Sequence, residues 1–501
     1  MGALNPRWKA RLAGAAAALF AAIGTWQIAN GSYAMAVMLG VIAAAACLNY
    51  FVRVPLDTVI VGGLLVGYIV GNRGFAQLSL VPGLPILPAE AGLALCLGWL
   101  ALRSAVHKQL PFQRDLLNFA VVLWIVVGSV RILPDVRIHG AMALRDFAMV
   151  YYALFFFVGQ SQAAEEPRQR FLSRCLLASV VLLVPLFELF RRFPDFFLSQ
   201  LTLRGTPLIF LKSDLAAAFL GIGVILTHER WERTRHPGWL VLAVLAMLEI
   251  LVSENRAALL GLAVATGWLV WRGQWSLVRT QAIAGVLGVL LLLGAMAMGG
   301  LGSRTNPAYQ LFERVASMTD FTGQRIYSSP EVEFKGDNNQ FRLVWWSTVI
   351  GETFDDSPWI GLGFGHDLAA GFVRRYYPDN DEEFSTRSPH SILVTVFGRM
   401  GIAGTIAFLG VILALAFKTS RALRAGAAGA TVARKWLGCW IVLVSACFGV
   451  VLEGPMGAVV FWTLLGLANG SAGAVAESAP ELAAGGETPK SSEAAELRLN
   501  P

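Results

Sequence analysis

Charge is scarce in this chain: Lys, Arg, Asp and Glu make up 15% of its 501 residues, against 56% hydrophobic ones, and the mean hydropathy is +0.59. Such a balance excludes ordinary soluble domains and fits a chain whose main solvent is lipid. Cysteine is nearly missing too. Cys47, Cys96, Cys175, Cys439 and Cys447 lie in or beside apolar stretches with no ligand-like spacing, so they read as small buried hydrophobes rather than a disulfide framework or a metal site. The tail 471–501 has no aromatic residue and is rich in Ala, Gly and Glu, the composition of a disordered end.

What the chain has is apolar runs near the length that crosses a hydrocarbon core about 30 Å thick. Candidate spans fall near 11–29, 33–51, 57–72, 85–102, 115–130, 146–161, 171–190, 208–227, 238–253, 257–271, 281–301, 391–417, 436–452 and 456–470. The stretch 391–417 is long enough for a short half-helix plus a full span. In lipid the backbone must satisfy itself, so the spans are helices. The expected fold is therefore all-α and polytopic, with about 12–14 transmembrane helices and one large structured loop.

Lys and Arg in short loops set the orientation, because basic loops stay cytoplasmic. With the N-terminus inside, the cytoplasmic loops carry Arg53; Arg103, Lys108 and Arg114; Arg168, Arg170 and Arg174; Arg230, Arg233 and Arg235; Arg272 and Arg279; and Lys418, Arg421, Arg424, Arg434 and Lys435, whereas 30–32 and 453–455 have none. The net charge of +7 then reflects topology and headgroup attraction, not a nucleic-acid partner. The organisation that follows is helices over 1–301, a loop over 302–390 on the outer face (periplasmic in a bacterium), helices over 391–470 and a cytoplasmic tail.

The loop is too long for a connector, and its aromatics Phe341, Trp345, Trp346, Phe354, Trp359, Phe364, Tyr376 and Tyr377 mark a packed element. A helix pattern over 341–354 ends before Pro358, and a Gly-rich turn follows at 361–365. On the same face lie Arg204, Arg256, Arg342 and Arg387. A single arginine at a membrane boundary snorkels to the headgroups. Several beside a structured loop and a histidine make the fork of donors that binding a phosphorylated lipid needs. His390 stands where the loop re-enters the membrane. It is either an interfacial histidine with a satisfied hydrogen bond or, with an ordinary pKa near 6.5, a base able to activate a sugar hydroxyl. The acidic run 378–383 reads as a solvated surface.

Arg342, Trp346, Pro358, Gly361, Gly363, Gly365, then His390 opening a helix that continues to Gly401 and Gly404, resemble the shared region of the O-antigen ligase and polysaccharide polymerase family. Arg256 and Arg204 resemble further family arginines; Asn255 and Ser391 stand where the family usually has Ser and Asn. The resemblance covers about 250–410. It implies a GT-C-like glycosyltransferase, inverting and using neither metal nor other cofactor, in the inner membrane with its active site on the periplasmic face. It would move a glycan from undecaprenyl pyrophosphate to an acceptor hydroxyl on lipid A–core or on a growing O-antigen or exopolysaccharide glycan. His390 would be the base and Arg204, Arg256 and Arg342 the pyrophosphate ligands, with membrane lipids and other polysaccharide-assembly proteins as partners. The alternative is a transporter or flippase of lipid-linked oligosaccharides, a class that commonly shows an internal repeat, and no half-length repeat is evident here.

Overall fold

A computed structural model describes residues 54–79, 87–108, 112–253, 255–299, 330–376, 387–426 and 429–484, with Ala22, Thr25, Trp26 and Ala29 ahead of them. The described chain is almost wholly helical, as the apolar runs require: α1 (Leu56–Val66), α2 (Arg73–Ala76), α3 (Pro88–His107), α4 (Leu116–His139), α5 (Ala141–Asp146), α6 (Ala148–Tyr151), α7 (Leu154–Ala163), α8 (Glu166–Arg192), α9 (Ser213–Thr234), α10 (Pro237–Val252), α11 (Arg256–Trp271), α12 (Ser276–Gly299), α13 (Pro330–Asp356), α14 (Ala370–Tyr376), α15 (Ile392–Arg424), α16 (Ala430–Ala446) and α17 (Pro455–Ala484). Five stretches are long and apolar enough to cross a membrane, Pro88–Val106, Leu116–His139, Ala141–Ala163, Glu166–Arg192 and Ile392–Arg424, and four shorter apolar helices accompany them. The protein is an all-α polytopic membrane protein. The spans read at 11–29 and 33–51 and the acidic run 378–383 lie outside the described residues, and α17 continues as helix past residue 470 to Ala484.

Helices pack where small residues let backbones meet. A Cβ on Gly159 would sit 2.4 Å from the Thr463 carbonyl, and one on Gly466 would sit 2.0 Å from that of Phe156, so α7 and α17 lie backbone to backbone. Several polar side chains buried between spans are paired. Gln160 bonds both Asn118 and Asn469, Asn469 and Lys418 both reach Asp115, and at the same end Arg168 meets Asp57 at 2.8 Å.

The opposite end holds the irregular backbone. A two-stranded hairpin pairs Thr202–Leu203 with Thr206–Pro207, turning through Arg204 and Gly205, both with positive φ, the pattern of a type I′ turn. Asn72 is fully buried and accepts from the backbone N–H groups of Arg73 and Lys212, which fixes the chain at the start of α9.

The loop helix α13 builds a second, smaller core: Trp345, Val349, Leu368, Ala369, Phe372 and Val394 pack together, with the Trp345 and Phe372 rings stacked 5.0 Å apart. This core is docked through a break in α15. Gly401 has φ 59° and ψ −154°, so a half-helix precedes a full span, as the length of that run suggests. Residues 358–363 fill the break. Leu362 and Gly363 donate to the carbonyls of Gly398 and Arg399 at 2.7 and 3.2 Å, while Ile402 and Ala403 donate to those of Pro358 and Trp359 at 2.8 and 3.1 Å. The loop thus satisfies the backbone groups that the break leaves open.

Candidate functional site

The turn 387–391 is held at almost every residue. Arg387 donates to the Gly365 carbonyl at 2.6 Å. Ser388 donates to Glu453 at 2.8 Å, and Thr395, on the far side of the turn, donates to the same carboxylate oxygen at 2.8 Å. Trp346 donates to the Pro389 carbonyl at 2.6 Å, and the Ser391 carbonyl accepts from Thr395. These ties hold His390 at φ 55°, a conformation that costs a non-glycine residue on the order of 1 kcal/mol or more.

The imidazole is what remains to be engaged. It meets Trp345 edge-on at 5.6 Å, and its Nδ1 is buried without a hydrogen-bond partner among the described residues. Enclosed polar atoms are nearly always paired, so an orphan at the mouth of a packed loop marks a place for a ligand. Burial first, then the charges of Arg342 and Lys212, push the His390 pKa down to about 4, with Asp214 acting in the opposite direction. Arg342 is itself held below its usual range by burial and by Arg256, with Asp214 opposing. His390, Arg342, Arg256, Lys212 and Asp214 therefore share one electrostatic site. Lys212 and Asp214 pair at 2.9 Å.

Four residues were expected from the sequence. Arg342 acts on His390, and Arg256 acts on Arg342. Arg204 stands exposed at the tip of the hairpin on the segment that leads to Lys212. Arg387 faces the loop's own backbone.

The sequence reading passed over Glu453, Lys212 and Asp214. Glu453 sits in a three-residue connection that drew notice only for lacking basic residues. Burial pushes its carboxyl above the usual range against the Ser388 and Thr395 hydrogen bonds, and Oε2 has no partner among the described residues. Lys212 and Asp214 follow Arg204 in sequence and stand at the start of α9. An acidic residue in the first turn of a span, Asp214, and another in a three-residue connection, Glu453, were the signals available.

The glycine turn is structural. Gly361, Gly363 and Gly365 all have positive φ, and a Cβ on Gly361 would lie 2.4 Å from backbone atoms of Arg399 and Met400. Beside it, Phe364 and Gly365 donate to Asp135 and Asp146 at 2.8 and 3.0 Å, and the buried Arg399 pairs with Asp146 at 2.9 Å.

Fold and site together define a multi-pass membrane protein with a cationic, histidine-bearing centre under a packed loop. Residues 240–409 match the family model described as O-antigen ligase. The match takes in Arg256, Arg342, the glycine turn and His390, and leaves Arg204, Lys212, Asp214 and Glu453 outside. It supports an O-antigen ligase-type transfer of glycans in polysaccharide assembly. No curated protein matches the chain.

Proposed function

We propose that the protein is a glycosyltransferase of the bacterial inner membrane that moves a glycan from undecaprenyl pyrophosphate to an acceptor hydroxyl at the periplasmic face. The acceptor is lipid A–core in a ligase and a growing glycan in a polymerase. The observation that carries this reading is the unpartnered, enclosed Nδ1 of His390 within the fields of Arg342 and Lys212. The acceptor oxygen bonds to the anomeric carbon from the face opposite the pyrophosphate, the anomeric C–O bond breaks, and the configuration inverts. His390 takes the hydroxyl proton, and the electron pair leaves on the pyrophosphate, held by Arg256, Arg342 and Arg204. Charge placed in advance where a leaving group develops is commonly the largest catalytic contribution. No step needs a metal.

The low pKa of His390 suits this order of events. Alone, the imidazole is neutral and a weak base, because burial and then Arg342 and Lys212 oppose its protonation. An arriving pyrophosphate offsets those cations and raises the basicity of His390, so the base strengthens when the donor is in place.

The test is complementation of a deletion strain, read by polysaccharide gel beside an expression blot. His390→Ala is expected to abolish transfer and let the lipid-linked donor accumulate, a loss in the range of 10²–10⁴-fold typical of a general base. Arg256→Lys keeps the charge but loses the planar fork, and is expected to lose most activity at normal expression. Near-normal polymer or capped lipopolysaccharide from well-expressed His390→Ala refutes the assignment.

A further inference from the structure

The described part of α13 is apolar on two opposite faces. Trp345 and Val349 point into the loop's own core. Leu343, Ser347, Ile350 and Phe354 recur at the spacing of one helical stripe and are all exposed, Phe354 at 55%. Between residues 341 and 354 the only charged side chains are Arg342 and Glu352, and neither lies on that stripe. Arg342 is about 100° round the helix from Leu343, and Glu352 is on the reverse side. A helix with a second apolar face turned outward is not built for water on that side. Beyond its end stand Trp359, 68% exposed, and Ile360.

The stripe continues a lipid-facing surface. The Phe354 ring lies 5.0 Å from that of Phe397 on α15. Along α15, one of the membrane-spanning helices, Leu393, Ile406, Leu409, Leu413 and Phe417 are exposed. Trp359 sits at the helix break, and tryptophan favours the level where hydrocarbon meets headgroups. Among the described residues, exposed charges stand past the stripe, at Asp355, Asp356, Arg374 and Arg375.

We propose that α13 lies on the membrane rather than above it, with Leu343, Ile350, Phe354, Trp359 and Ile360 seated against lipid chains at the edge of the hydrocarbon core. The loop is then a lid resting on lipid, and Arg342 flanks the surface along which a lipid-borne phosphate arrives sideways. The inference rests on exposure and continuity and stands whether or not the proposed reaction does.

The experiment places a nitroxide label at Phe354→Cys, Trp359→Cys or Arg374→Cys in the full chain with its five cysteines replaced, reconstituted in phosphatidylcholine vesicles. Paramagnetic relaxation by oxygen, which concentrates in lipid, is compared with relaxation by a water-soluble nickel chelate. Oxygen is expected to dominate at 354 and 359, and nickel at 374. Nickel access at 354 and 359 equal to that at 374 overturns the proposal. So does exclusion of both reagents, which would mean that protein covers the stripe. Ile360→Cys replaces either label site if that variant fails to fold.

Discussion

Replacing Gly401 by alanine tests the loop-to-helix docking most directly. The residue has φ 59° and ψ −154°, a region essentially confined to glycine and costing about 1–3 kcal/mol for other residues. A Cβ there would lie 2.5 Å from the Pro358 carbonyl oxygen and 2.6 Å from the Gly361 nitrogen. Neither is a flexible side-chain end, so the loop must withdraw. Four backbone hydrogen bonds depend on the approach, each contributing about 1 kcal/mol net and more where a partner is left buried and unpaired. A loss of roughly 4 kcal/mol or more is expected from these terms together. Thiol exposure on heating detergent-solubilised protein reads it, because Cys96 and Cys439 are free and buried. Gly410→Ala in the same helix is the control. Its Cβ would meet only that of Ala120, at 3.8 Å, so it should be neutral or stabilise by about 0.5–1 kcal/mol. Equal melting of the two variants refutes the docking argument.

Arg342→Gln removes a charge that opposes protonation of His390, so the His390 pKa must rise from about 4 towards 6.5. Burial, the larger cause, remains, so the acid limb of kcat/KM should move up by no more than about one pH unit, and an unmoved limb in purified protein excludes His390 as the titrating base. Glu453→Gln keeps an acceptor for Ser388 and Thr395 and should retain the fold, whereas Glu453→Ala frees the 387–391 turn and should lose more activity. Equal activities measured side by side would show that the carboxylate does not hold the turn. Asp146→Ala leaves the buried Arg399 unpaired and should cost about 3–5 kcal/mol, with little further loss on adding Arg399→Ala in the same melting assay.

Much of this was legible because the bilayer allows few solutions. Each apolar run from 57–72 onward contains a helix, and even the break within 391–417 could be anticipated from its length, since a helix that long exceeds one crossing. The helix before Pro358 and the turn at 361–365 were readable because proline and glycine act locally. What could not be read was which distant groups meet. Glu453 is held by Ser388 and Thr395 from residues far earlier in the chain, and Lys212 is fixed by Asn72. Neither link leaves a periodic trace. Nor did the glycine turn reveal that its partner is the broken helix itself, because the match is between backbone groups, which every sequence carries.

The docking of 358–363 into the break at Gly401 also orders biogenesis. The loop is synthesised before α15, so its backbone donors and acceptors wait for a helix that has not yet been made. When α15 emerges, the groups around Gly401 cannot rest unpaired in hydrocarbon, where each would cost several kcal/mol. The half-helix 392–400 therefore settles only as the loop closes on it, and the last membrane segments enter a bundle whose lid is already committed. Insertion and completion of the site around His390 become one event, and a nascent chain with a damaged loop should be caught by quality control rather than persist as an intact protein.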